Sequence, residues 1–128
     1  ESSLIKKKNS KIINVDVNKG DDLLKKQIDF IKIDVEGVEL DVLIGSKKII
    51  KKSRPLLLIE IEKRHNRNYL SVFKFLKNNG YRIYYLDKNK FILKSLLYKD
   101  INYFFKKKQN KIESENYINN FFCEYIKS

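Results

Sequence analysis

Two short apolar runs, Phe30-Ile-Lys-Ile-Asp-Val35 and Leu56-Leu-Leu-Ile-Glu-Ile61, each end among carboxylates, and the segment between them has helical spacing. Side chains on a strand alternate faces, so Phe30, Lys32 and Asp34 share one face and Ile31, Ile33 and Val35 the other. The second run is apolar at nearly every position, the pattern of a parallel strand covered by helices on both faces. Between them Val38, Val42, Leu43, Ile49 and Ile50 follow helical spacing, interrupted at Gly45-Ser46, and Pro55 opens the second strand where its missing N–H costs least. Such a strand, helix and strand form a right-handed parallel crossover, so both strands finish at the same edge of one sheet. That edge, where open α/β sheets bind ligands, would carry Asp34, Glu36, Glu60 and Glu62.

The flanks are less constrained. Lys11 to Val17 reads as a strand, 18–22 as a turn with Asp21 or Asp22 as N-cap, and Leu23 to Lys26 as a helical turn. Tyr69 to Asn79 reads as an amphipathic helix carrying Leu70, Val72, Phe73, Leu76 and Lys77, closed by a left-handed cap at Asn79-Gly80. Tyr81 to Leu86 and Phe91 to Leu96 make a hairpin through Asp87-Lys-Asn-Lys90. In the tail, Tyr117, Phe121 and Tyr125 at i, i+4, i+8 predict a helix over Glu113 to Ile126. The expected fold is therefore α/β, a mostly parallel sheet ending in an antiparallel hairpin. Residues 1–105 form one unit, followed by a basic, aromatic, helical tail over 106–128.

Composition narrows the function classes. A chain of 128 residues with 42% hydrophobic content supports one core. No uncharged apolar stretch reaches the length of a membrane span, and the first residues lack a signal-peptide apolar region. The single cysteine calls for no oxidising compartment, which makes the cytoplasm the default. The net charge of +12 comes from 24 Lys and only 4 Arg. Lys, Ile, Asn, Phe and Tyr share AT-rich codons, so nucleotide bias accounts for the lysine excess. The scarcity of Arg disfavours specific nucleic-acid recognition. Of the 16 acidic residues, 11 fall within residues 1–62, around the expected rim.

Four carboxylates at neighbouring strand ends repel unless a cation or a shared proton sits among them, and Lys32 is the nearest cation along the chain. The plainer alternative is a Lys32 and Asp34 ion pair with Glu62 solvated. No metal is assigned; were Asp34, Glu36 and Glu60 to hold one, oxygen ligands favour magnesium or calcium over zinc. His65, the one histidine, suits a general base near neutral pH. Its Arg and Asn neighbours favour a surface-loop position.

The run Lys32, Asp34, Glu36, Gly37 and Glu39 resembles the strand-to-helix motif of FkbM-type methyltransferases. Gly45, Pro55, Glu60 and Asn79-Gly80-Tyr81 also match that family, and the resemblance covers roughly residues 12–105. It implies the C-terminal half of a Rossmann-like class I methyltransferase fold, with S-adenosylmethionine as cofactor and methylation of an oxygen on a small-molecule or glycan acceptor. Asp34, Glu36 and Glu60 would then be catalytic, with Lys32, Glu39 and His65 near substrate or cofactor. The resemblance also implies a preceding half with a glycine-rich cofactor loop, without which the chain is expected to be inactive alone. Two competing readings are a basic module that binds nucleic acid or another anionic polymer through residues 63–128, and a truncated, non-catalytic methyltransferase-like domain.

Overall fold

The computed structural model describes residues 25–126, so the strand expected over 11–17, the turn over 18–22 and the first half of the helical turn over 23–26 lie outside it. β1 (Phe30–Ile33) leads through α1 (Glu39–Gly45) and α2 (Lys47–Ser53) to β2 (Leu56–Glu60). α3 (Tyr69–Asn78), the hairpin β3 (Tyr81–Asp87) and β4 (Ile92–Leu96), a short 3₁₀ turn (Tyr98–Asp100), α4 (Ile101–Lys108) and β5 (Asn120–Tyr125) follow.

The crossover forms as its spacing predicts. Glu39 and Asp41 in the first turn of α1 suit the positive end of the helix dipole. The helix breaks at Ser46, and α2 stops at Arg54, whose left-handed backbone (φ 49°, ψ 50°) lets its N–H reach Ile50 O at 2.8 Å just before Pro55. β1 and β2 pair in parallel with Ile31 opposite Leu57 and Ile33 opposite Ile59. α3 buries Tyr69, Val72, Phe73 and Leu76, one helical face. Gly80 follows with φ +84°.

The sheet order is β1-β2-β5-β3-β4. Only β1 and β2 pair in parallel; β2 with β5, β5 with β3 and β3 with β4 are antiparallel. The expected mostly parallel sheet is thus a mixed one, in which β1, β2 and β3 point the same way and β5 runs back between β2 and β3. Its direction follows from an anchor at the carboxyl end of β2. There Gln109 Nε2 donates to Ile61 O (2.7 Å) and to Ile118 O (2.9 Å). A strand that begins at this edge has only the downward course open to it.

The helix predicted over Glu113 to Ile126 is therefore corrected to a loop and a strand. Positions 117, 121 and 125 are all odd, so a spacing of four satisfies a strand's period of two as well as a helical one. Buried Cys123 between them decides for the strand. The division expected between 105 and 106 falls inside α4, and the tail supplies an inner strand of the sheet.

Ile31, Ile33, Leu57, Ile59, Ile83, Phe121 and Cys123 form the core face of the sheet, and the buried sides of all four helices join the same core. Phe121 lies at its centre, with ring centroids of Phe73 at 5.2 Å, Phe105 at 5.5 Å and Phe104 at 5.8 Å. Coverage on both faces was expected, but among the described residues the helices pack on one. Phe30 on the other face remains 50% exposed. No helix among the described residues is long and apolar enough to cross a membrane.

Candidate active site

Because Ile33 lies opposite Ile59 in parallel register, the next positions, Asp34 and Glu60, come side by side at the carboxyl edge of the sheet. Both belong to the open face, where Lys32 lies opposite Leu58. Their carboxyl groups hydrogen-bond to one another. That bond comes first in pushing Glu60 up to about 8, followed by burial and by the negative charges of Asp34, Glu62 and Glu36. The rim therefore favours the protonated form of Glu60. Asn119, just before β5, donates Nδ2 to Glu60 Oε2 and to Glu62 Oε2, both at 2.8 Å.

The loops after β1 and β2 lock together beside this pair. Gly37 has φ +93°, and a Cβ there would lie 2.7 Å from the His65 carbonyl oxygen. Only glycine fits that approach. Glu39 is 1% exposed, and its Oε2 accepts the Gly37 N–H (2.9 Å) while its Oε1 accepts Asn66 Nδ2 (2.6 Å). Burial holds its carboxyl above the usual carboxylate range, with the hydrogen bonds from Asn66 and Gly37 offsetting part of that rise. Glu39 is thus a brace between the loops. The Lys-x-Asp-x-Glu-Gly-x-Glu run thus places Asp34 at the rim beside Glu60 and makes a structural joint of Gly37 and Glu39.

Glu62 was expected to be solvated; it is buried, with Arg64 Nη2 at 2.8 Å and His65 Nε2 at 3.4 Å from its Oε1. His65 sits in the exposed turn after β2, the surface-loop position expected of it, with its Nε2 also 3.8 Å from Glu36 Oε2, so that it lies between two carboxylates. The expected cation, Lys32, makes no ion pair with the rim among the described residues. It lines a cleft of about 270 Å³ on the open face, with Leu58, Leu86, Asn119, Asn120 and Phe122. Arg64 takes its place because burying Glu62 demands a partner and the turn after β2 brings the guanidinium within reach. Among the described residues no group of three or more His, Cys, Asp or Glu side chains is arranged to hold a metal.

The model of the methyltransferase FkbM domain matches residues 1–83. The chain belongs to the FkbM methyltransferase family. No curated protein and no solved structure matches it. The matched span of this FkbM domain holds the whole β1 to β2 crossover and ends inside β3. Asn119, which ties Glu60 to Glu62, lies beyond it. Sequence reasoning missed Asn119, since it sits in a stretch that reads as helix. Asn66 and Arg64 carried a weak signal as polar residues in the loop after the second strand.

Proposed function

We propose that this FkbM methyltransferase domain moves a methyl group from S-adenosylmethionine to a hydroxyl oxygen of a small-molecule or sugar acceptor, with the Asp34 and Glu60 pair managing the hydroxyl proton. The observation that carries the reading is the placement of the Asp34 and Glu60 carboxyl groups side by side at the ends of two parallel strands, where the pairing favours a proton on Glu60. The Rossmann-like fold that the reading assumes draws support from the common direction of β1, β2 and β3.

S-Adenosylmethionine, when bound, supplies a sulfonium-activated methyl group whose C–S bond breaks as the acceptor's C–O bond forms. The rim suits such a cofactor, because a sulfonium and an α-ammonium are cationic and the edge presents Asp34 together with Glu36, whose side chain is 49% exposed. The chain's own work is positioning and proton transfer. Glu60, with its proton affinity raised to about 8, is a far better proton acceptor when ionised than an ordinary carboxylate. Asp34 raises that affinity and offers an oxygen to orient the attacking hydroxyl. Asn119 fixes Glu60, while Gly37, Glu39 and Asn66 fix the loop that carries Asp34 and Glu36.

The test is methyl transfer from labelled S-adenosylmethionine to a panel of hydroxyl acceptors by the full-length protein and its Asp34→Asn variant. The substitution keeps the size of the side chain and removes its charge, so turnover should fall about 10²-fold, the usual loss with a positioned proton-transfer group. Normal turnover in a folded variant would remove Asp34 from the site.

A further inference from the structure

Beside the rim opens a cleft of about 650 Å³ whose walls include Lys63, Arg64, Arg67 and Lys106 and no acidic side chain. That volume lies within the roughly 300–1,000 Å³ typical of small-molecule sites. From it we infer that the acceptor carries a phosphate or diphosphate group, and that these four cations hold it while the acceptor's hydroxyl reaches Glu60. The inference rests on the methyl-transfer reading given above.

Three features separate this cleft from an ordinary lysine-rich surface. Its cations come from two distant segments, the turn after β2 and the end of α4, which Gln109 joins. The Gln109 side chain accepts the Lys63 N–H (2.7 Å) and donates to Ile61 O and Ile118 O, so the meeting of the two segments is built. Arg64 is already oriented, gripped by Glu62 at 2.8 Å, and an arginine held in this way recognises phosphate at less entropic cost. The dipole at the end of α4 would by itself account for Lys106. It does not account for Lys63, Arg64 and Arg67 converging from the other wall.

Location ties the cleft to the chemistry. Arg64 binds Glu62, Glu62 shares Asn119 with Glu60, and Glu60 bonds to Asp34. An anion in the cleft is therefore linked to Glu60 through Arg64, Glu62 and Asn119. Lys106, Gln109 and Tyr117 lie beyond the residues matched to the family.

The probe is inorganic pyrophosphate, titrated calorimetrically into the full-length protein, its Arg67→Gln/Lys106→Gln variant, and a Lys47→Gln/Lys48→Gln variant that removes equal charge from exposed positions on α2. Pyrophosphate should bind the wild type and the α2 variant alike and the cleft variant at least about 10-fold more weakly, as losing charge-assisted hydrogen bonds implies. Equal weakening in both variants, or no binding to the wild type, overturns the site. A single-stranded oligonucleotide that binds the cleft while pyrophosphate does not would overturn it in favour of a polymer. Methyl transfer to a phosphorylated sugar and to the same sugar without its phosphate is measured in parallel on the wild type, and equal turnover of the two overturns the inference. If no acceptor of either kind is methylated while pyrophosphate still binds, the methyl-transfer reading has failed and the anion site alone stands.

Discussion

Gly37 shows how much one residue decides at the rim. Its φ of +93° is a conformation that L side chains rarely adopt, and an added Cβ would press on the His65 carbonyl. Gly37→Ala should therefore cost about 1–3 kcal/mol of unfolding free energy in a urea titration. Gly45→Ala, where a Cβ would meet nothing within 4 Å, should be neutral or slightly stabilising. Equal effects at the two sites would mean that the loops are not docked as described. Glu60 makes a prediction about pH. Its affinity for a proton rises from 4.5 to about 8 on folding, so the folded state binds the extra proton between those values. The stability it contributes is full below about 4.5, falls as pH rises, and is lost above about 8. Glu60→Gln keeps a donor toward Asp34 without the ionisation, so the melting temperature of the variant should decline less between pH 6 and 9 than that of the wild type. Parallel declines would show that the carboxyl pair does not share a proton.

At the level of elements, the crossover and its acidic edge were legible because strict alternation over Phe30 to Val35 and the apolar run from Leu56 leave few ways to bury both. α3 and the hairpin were legible for the same reason, with Gly80 marking the junction. β5 was not, because a spacing of four serves both helix and strand and only buried Cys123 breaks the tie. Lys32 was misplaced for another reason: proximity on a strand does not say where a long, flexible side chain goes, whereas the burial of Glu62 does require a partner. The same inner strand gives a test. Phe121→Ala empties the meeting point of Phe73, Phe104 and Phe105 and should cost about 3–5 kcal/mol. Burial also pushes the Cys123 thiol up strongly, so a thiol reagent should label it only after unfolding. Rapid labelling of the native protein, or a mild effect of Phe121→Ala, would place β5 outside the core.

For the molecule as a whole, the sheet presents an acidic pair at the end of its two parallel strands and a basic cleft beside it, linked through Asn119, Glu62 and Arg64. On the proposed reading the arrangement separates duties: negative charge where the hydroxyl reacts, positive charge where an acceptor is held. The cleft was not legible in the sequence, because its walls come from 63–69 and 106–117, segments distant along the chain that the Gln109 anchor joins. That a +12 chain concentrates carboxylates at this edge points to chemistry there rather than general adhesion to polyanions. The central claim, that Glu60 acts as proton acceptor with its affinity raised by Asp34, is most directly tested by the pH dependence of kcat/KM for methyl transfer. The wild type should rise about tenfold per pH unit and level off near pH 8. Asp34→Asn should shift the inflexion to lower pH, and Glu60→Gln should abolish it. A flat wild-type profile between pH 6 and 9, or the same inflexion in Glu60→Gln, would contradict the account.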